Sequence, residues 1–543
     1  MQFSNSSNSQ SKPRILIIGA GPTGLTTAAC IQKQGITVDV FDRKKGPNDQ
    51  SKALSLNPVA KTQLDIIFGG NTVANWANPV SRLDIMLEPE KRFTSINLDH
   101  LDWINKTMLI QPQQETENEL LSLACEHGAN IHWNTTVTEV EETPQCVRVI
   151  AQEKGGSTFS MNYDYVVGCD GKYSLVREAL GTRMLTLSYD MYLALADFEL
   201  DCSLDERCAY YFVFKDTFFV FVPFGAKKWR VVVKHDGKPS KDRHVELVTK
   251  CVEEKFGRNI FVGECLWFSQ APLYISYADK LQSQRLFIAG DAAHLYSPIG
   301  GTGMNTGITD AINLAWKLGF TVTGKTRGIN VIQSYQEERI PVIRENAAMT
   351  DQLTQAISRR LANEASYQKY MPLMSNRTLL KHGLPTALSG YTMSYAYNIG
   401  TRSSLQKSQS DKFCSILTPL MCEISIQMPD LAPQFNIFYL IKDIDVVPQE
   451  YLDLAGRYCG ARSIFIVPVV DGTLKVSKYQ SGANSLVAAL SKSRWEELNA
   501  NGEVQMLRPD GMVAFQGPRE DFLMLCDQLS TMLNEAITEK KYA

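Results

Sequence analysis

Two stretches of this chain carry residue types that can hold a ligand made of sugar alcohols and phosphates. Between Arg285 and Leu318, an apolar run from Leu286 to Ala289 ends at Gly290-Asp291. A loop follows with Pro298, Gly300, Gly301 and Gly303, and apolar residues then recur at Ile308, Ala311, Ile312, Ala315 and Leu318. The pattern predicts a strand, an acid, a glycine-rich loop and a helix starting near Met304. The acid can accept a hydrogen bond from a sugar-alcohol hydroxyl. The helix start, with unpaired N–H groups and the positive end of the dipole, can face an anion.

The second stretch lies near the N-terminus. Ile15 to Ile18 lead into GAGPTG, so Gly19, Gly21 and Gly24 stand at GxGxxG spacing. The first glycine allows a tight turn, the second lets backbone approach a pyrophosphate, and the third lets helix pack close to strand. A helical pattern runs from Leu25 to about Gln34 and ends at Gly35. A second strand, Val38 to Phe41, ends at Asp42, 18 residues beyond Gly24. An acid at that place can grip a ribose diol, whereas a basic residue would suit a 2′-phosphate. The ligand expected is a plain adenosine diphosphate, from NAD or FAD. The alternative, a chance glycine turn, does not account for strand, helix, strand and acid in that order.

A third segment separates the two dinucleotides. Tyr165 to Gly168 is followed by CDGKYSLVREALG, Cys169 to Gly181. GAGPTG, then CDGKYSLVR, then GDAAH and PIGGTGMNTGITDAINLAWKL, resemble the class A flavoprotein aromatic hydroxylases of the para-hydroxybenzoate hydroxylase and phenol hydroxylase type. Smaller pieces agree: QPQQETE with Gln113 and Glu117, VPFGAKKWRV with Pro223 and Trp229, and SYQEERIP from Ser334 to Pro341. The resemblance covers residues 13 to 345 strongly and the remainder weakly.

That resemblance implies an FAD-dependent monooxygenase with NADPH or NADH as co-substrate and O2 as oxidant. It would hydroxylate a phenolic or polycyclic, polyketide-like aromatic through a flavin C4a-hydroperoxide. Baeyer–Villiger oxygenation or inactivation of a tetracycline-like antibiotic are the alternatives within the fold; a binding protein that has lost flavin is the alternative outside it. The residues implied to hold cofactor are Gly19, Gly21, Gly24, Asp42, Arg43, Lys52, Gln113, Asp170, Asp291, Pro298, Gly301, Gly303, Met304 and Asn305. Asp291 would take the ribityl hydroxyls. Backbone N–H groups around Gly303, Met304 and Asn305 would face the flavin edge that becomes anionic on reduction. Gln113 matches a family glutamine near the ribityl and diphosphate, and Asp170 a motif credited with contacts to both FAD and nicotinamide. Pro298 is a gating candidate beside the flavin. No side chain is expected to perform the oxygen transfer, because the cofactor carries that chemistry. His294 is expected to be a structural neighbour rather than a base. Trp229, Trp267, Phe224 and Phe268 are expected singly as core, though together they suggest an aromatic-lined pocket for an aromatic substrate.

The family pattern is not matched everywhere. Its usual Ser-Arg-Ala appears as Ser51-Lys52-Ala53, which keeps a charge but loses the planar fork of arginine. SYADK, Ser276 to Lys280, lacks a usual arginine.

The elements that must position these residues form an α/β fold. It comprises a discontinuous GR2-type FAD-binding Rossmann-like domain, a β-rich substrate domain and a C-terminal thioredoxin-like α/β domain. The expected bounds are 13–180 and 276–345 for the first, 181–275 and 346–410 for the second with part of 76–104, and 430–543 for the third. The run TFFVFVPF lacks alternation and is expected to be buried on both faces or to line a pocket. MLRPDGMVAFQG, Met506 to Gly517, reads as strand, Pro-Asp-Gly turn and strand, with a helix from Arg519 to Ala536 after it. The tail has no CxxC, so thiol–disulfide chemistry is not expected there, and a packing or dimer-contact role is.

Composition sets the outer bounds. A chain of 543 residues exceeds one ordinary domain, and 44% hydrophobic with 21% charged residues is globular. A net charge of −3 implies no nucleic-acid or anionic-membrane surface. Residues 1–12 are polar and expected to be disordered, without the apolar core of a signal peptide, and no run reaches membrane-spanning length. Twelve scattered cysteines suit a reduced cytoplasmic protein, monomer or homodimer, and no metal site is expected.

Overall fold

The computed structural model describes residues 13–47, 53–70, 72–88, 91–101, 105–214, 217–235, 244–324 and 331–360, short pieces between 376 and 393, and the strands and turns of the C-terminal part up to 522. Residues 1–12, Lys52, the stretch 401–411 and nearly all of the expected helix 519–536 lie outside the described residues.

The strand Ile15–Ile18 is apolar throughout because it is buried on both faces at the centre of a five-stranded parallel sheet. Its neighbours are Tyr165–Gly168 and Val38–Phe41, with Leu286–Ile288 and Asn130–His132 at the edges. Register does the positioning. Ile18 pairs with Gly168, and Gly168 with Ile288. The residues that follow each strand therefore emerge at one edge: Gly19, then Cys169-Asp170, then Gly290-Asp291. Three motifs far apart in the chain meet there, at the carboxyl ends of parallel strands where such sheets bind ligands.

The turn after the first strand is possible only without side chains. Gly19 has φ +105°, and a Cβ on it would lie 2.2 Å from the Cys169 carbonyl oxygen. A Cβ on Gly24 would lie 1.9 Å from the Gly19 carbonyl oxygen. Both contacts are with backbone, which cannot swing aside. Gly24→Ala is therefore expected to destabilise the fold by about 3 kcal/mol or more, at the upper end of overpacking costs. A denaturant midpoint equal to wild type would show that the helix Pro22–Gln32 can shift cheaply.

An eight-stranded sheet stands over this edge, in the order His294–Leu295, Ile260–Ala278, Met184–Cys202, Lys228–His235, Phe218–Gly225, Cys208–Val213, Arg82–Glu88, Lys91–Asn97. The last two strands come from the segment between the nucleotide-binding motifs, and Arg82–Glu88 pairs in parallel with Cys208–Val213. The strand Phe218–Gly225 is buried on both faces, as its unbroken apolar run suggests. Phe219 and Phe221 pack edge-on against Phe256 of the helix His244–Phe256, with centroids 5.4 Å and 5.2 Å away. Val220 and Val222, on the opposite face by strand alternation, line a cavity.

The C-terminal part is a six-stranded mixed sheet, with Asn436–Leu440, Arg462–Val469 and Ser485–Ser491 parallel and Val504–Leu507 paired antiparallel to Val513–Gly517. The Pro-Asp-Gly hairpin is present. Its turn does not face water, however: residues 508–512 are buried against the rest of the chain. Met512 is buried with Val59, Leu98 and Val342. Arg508 and Asp510 are fully buried against the helices Gly303–Val322 and Ser334–Arg360.

Candidate cofactor and substrate site

A cavity of about 500 Å³ runs from the glycine turn, past the Pro298 loop, to the underside of the eight-stranded sheet. Its nucleotide end is lined by Gly19, Gly21, Asp42, Arg43, Gln113, Asp170 and Asp291, and its middle by Pro298, Gly301, Gly303 and Met304. Eleven of the residues singled out in the sequence thus face one space. Gly24 and Asn305 do not line it, and Lys52 is not among the described residues.

The middle of the cavity has the features of a ligand cradle. The 20-residue helix Gly303–Val322 begins there with Thr302 as N-cap, in helical geometry and without a side-chain cap. A long helix normally satisfies its first N–H groups with a capping side chain; here no cap occupies them. A Cβ on Gly303 would meet nothing within 4 Å, so the helix start is open toward the cavity. Three buried polar atoms around the cavity have no partner among the described residues: Asp170 Oδ1, Ser55 Oγ and Thr302 Oγ1. Buried polar atoms are rarely left unpaired, so a polar ligand is the natural partner. Open glycine, uncapped helix and orphaned polar atoms fit the flavin end of FAD, and the strand-edge glycines fit its diphosphate.

Several side chains do work that spacing did not reveal. Asp42 accepts hydrogen bonds from Ala20 N–H at 2.7 Å and Lys44 N–H at 2.8 Å, so it holds the glycine turn to the second strand as well as facing the cavity. Asn305 staples the loop: its amide donates to the Ser55 and Gly301 carbonyls, and its Oδ1 accepts from Asn57 N–H. Gln113 Oε1 accepts from Ala53 N–H while its amide donates to Glu117. Asp170 Oδ2 accepts from Leu175 and Val176 N–H at the start of the helix Leu175–Leu180. Burial pushes the Asp170 carboxyl above its usual range, against the pull of Ser174 and those N–H groups.

His294 is a structural group, as expected. It is fully buried, with Nε2 2.7 Å from Asp310 Oδ2, and Asp310 also accepts from Arg339 at 2.7 Å and from Gly290 N–H at 3.1 Å. Burial alone would raise the Asp310 carboxyl, but Arg339 and His294 outweigh it and hold it low. The cluster thus ties the Gly290-Asp291 turn to the core.

The expectation of an aromatic-lined pocket is corrected by the structure. Trp229, Trp267, Phe224 and Phe268 are absent from the cavity wall. Strand alternation turns Trp229 and Phe268 into the opposite core, with Phe212 and Phe256. The substrate end is instead aliphatic, with Leu83, Met108, Leu195, Val220, Val222 and Val232, and is interrupted by Tyr211 and Arg230. Arg230 is buried and bidentate to Asp197 at 2.6 Å and 2.8 Å, and its guanidinium lies 4.4 Å from the Trp267 ring centroid. The signal for it was in view: an arginine inside the apolar strand WRVVVK.

Comparison with known proteins agrees with this geometry. Residues 12–350 match the family described as FAD binding domain. The chain is 30% identical over 399 residues to 6-methylpretetramide 4-monooxygenase of Streptomyces rimosus, covering 71% of this chain and 70% of that protein. In fold it is similar to the anhydrotetracycline hydroxylase OxyS from Streptomyces rimosus, with TM-score 0.72, 22% identity and coverage of 93% and 96% of the two chains. It is also similar to the flavin-dependent monooxygenase PieE solved with FAD and substrate, with TM-score 0.73, 17% identity and coverage of 97% and 100%.

Proposed function

The chain belongs to the FAD binding domain family and is an FAD-dependent monooxygenase; on that premise we propose that it hydroxylates a phenolic or polycyclic, polyketide-like aromatic. The observation that carries this reading is the continuity of one cavity from the dinucleotide strand edge to an aliphatic chamber, with an uncapped helix start between them. When bound, FAD supplies the redox chemistry with NAD(P)H and O2. The protein binds, orients and keeps water out.

The division of labour follows from position. Gly19, Gly21, Asp42 and Arg43 line the nucleotide end and would hold the adenosine diphosphate, and Gln113, Asp170 and Asp291 would hold the ribityl chain and its surroundings. The helix start at Gly303 and Met304 would face the flavin edge that gains charge on reduction. Tyr211 and Arg230 are polar side chains set among those aliphatic walls, and ring oxygens would orient there. Pro298 gates the loop. We divide the chain at the expected bounds, with the C-terminal sheet as a thioredoxin-like packing domain. We place the protein in the cytoplasm, as monomer or homodimer; the described cysteines are all free, in keeping with a reducing compartment. No described helix is long and apolar enough to cross a membrane.

The reading predicts yellow protein with non-covalent FAD, and NADPH or NADH oxidation stimulated by a panel of phenols, anthraquinones and anhydrotetracycline, with products heavier by one oxygen atom. Asp291→Ala should weaken FAD binding by an amount on the order of 1.5–3 kcal/mol, the worth of a charged hydrogen bond. Colourless wild-type protein that ignores added FAD would overturn the assignment. Pro298→Ser should keep FAD but slow substrate-stimulated reduction. Wild-type speed in that variant removes the gate and leaves the cofactor assignment standing.

A further inference from the structure

We propose that Tyr211 is a positioning residue that latches the Pro298 loop from the substrate side and passes substrate occupancy to it. This rests on the reading of that loop as a gate beside the flavin. Tyr211 lies on the strand Cys208–Val213 and forms part of the cavity wall. Its ring packs in the apolar cluster that contains Leu195, Val220, Val232 and Ile299. Its hydroxyl donates to the Ile299 carbonyl at 2.9 Å.

Ile299 is the middle residue of the turn Pro298–Gly300, beside the helix start that faces the cavity. Other bonds on this turn come from the loop and helix themselves. Ser297 Oγ accepts from Ile299 N–H, Gly301 N–H donates to the Pro298 carbonyl, and Asn305 donates to the Gly301 carbonyl. The Tyr211 bond is different in origin: it crosses from the eight-stranded sheet.

A phenol has a single O–H donor. Desolvation pushes the Tyr211 hydroxyl up to about 12, so it remains a donor at any ordinary working pH. It can serve the Ile299 carbonyl or an oxygen of a bound aromatic, but not both. An oxygenated ring, whether phenol, quinone or enol, that captures the hydroxyl releases Ile299 and with it the turn. Occupancy of the chamber is thereby converted into loop freedom through one exchanged hydrogen bond, as a shift between two populations.

The test is Tyr211→Phe, which deletes only the hydroxyl. In the FAD-free protein, hydrogen–deuterium exchange should rise in the peptide spanning 297–303 and stay at wild-type values elsewhere. In the flavin-loaded protein without any aromatic, reduction by NADPH or NADH should speed up about threefold to tenfold, the population change that one net hydrogen bond commands. A general loss of stability would instead raise exchange throughout and lower the melting temperature. Wild-type exchange at 297–303, exchange raised throughout, or a reduction rate at or below wild type overturns the latch. The exchange measurement needs no flavin, so it judges the latch separately from the monooxygenase reading, which fails instead if wild-type protein takes up no FAD or forms no oxygenated product.

Discussion

Gly303→Val is expected to yield a folded protein that no longer retains FAD. The two halves of that result have separate causes. A Cβ at Gly303 meets nothing within 4 Å, and the residue is the first of a helix, where a β-branched side chain costs little. The melting temperature of the FAD-free variant should therefore match wild type. The space the valine enters is the middle of the cavity, where the flavin would come within hydrogen-bonding distance of the helix N–H groups. Holding it off by a side chain removes hydrogen bonds to the oxidised, still uncharged flavin, each worth about 0.5–1.5 kcal/mol. Losing two of them weakens FAD binding by roughly fivefold to a hundredfold. Flavin content after gel filtration, and titration of FAD into the stripped protein, measure it. Full flavin content would mean that the cofactor does not approach this helix. The contrast with Gly24→Ala is instructive: that glycine touches protein backbone, so its replacement harms the fold, whereas Gly303 borders empty space, so its replacement harms the ligand.

Arg508→Met should be the most destabilising single change outside the nucleotide turn. Arg508 donates to both oxygens of Glu338 at 2.8 Å and to Asp510 at 2.6 Å, and all three are fully buried. Lys317 completes the group, 2.7 Å from Glu338, and the Trp316 indole donates to Asp510 at 3.2 Å. Two cations and two anions balance. Removing the arginine leaves two buried carboxylates facing one ammonium, and breaking such a pair costs about 3–5 kcal/mol. Urea unfolding measures the loss, and pairing Arg508→Met with Glu338→Gln should recover part of it, because one orphaned charge goes too. An unchanged midpoint in the single variant would show that water reaches this network.

The same network sets an acid limit. Burial would raise the Glu338 carboxyl, but Arg508 and Lys317 outweigh it and bring it from 4.5 down to about 2. A depressed carboxyl contributes stability that is complete above its unfolded value and is lost as pH falls through the folded one. Wild type should thus lose about 3 kcal/mol from this residue between pH 4.5 and 2, and Glu338→Gln should flatten that part of the profile.

The nucleotide half of the site was legible in the sequence because its chemistry depends on short stretches of backbone. Glycine spacing, a strand end and a helix start are local geometry, and local geometry follows from residue type within a few positions. Gly19, Gly21, Asp170, Asp291 and Gly303 therefore could be named, and with them the cofactor class. Parallel strand register then had little freedom in where to bring them. Side-chain partnership is another matter. Asp42 spans to Ala20, Asn305 to Ser55, Arg508 to Glu338, 170 residues earlier, and Asp510 to Trp316, 194 residues earlier. No spacing rule encodes which carboxylate a distant guanidinium will meet. The lining of the substrate chamber was likewise decided by tertiary structure. TFFVFVPF announced burial on both faces, but only the placement of the helix His244–Phe256 determined that phenylalanines would fill one face and leave valines to the cavity. Local backbone chemistry thus specified the cofactor, while the packing of one sheet face against one helix specified the chamber in which a substrate must fit.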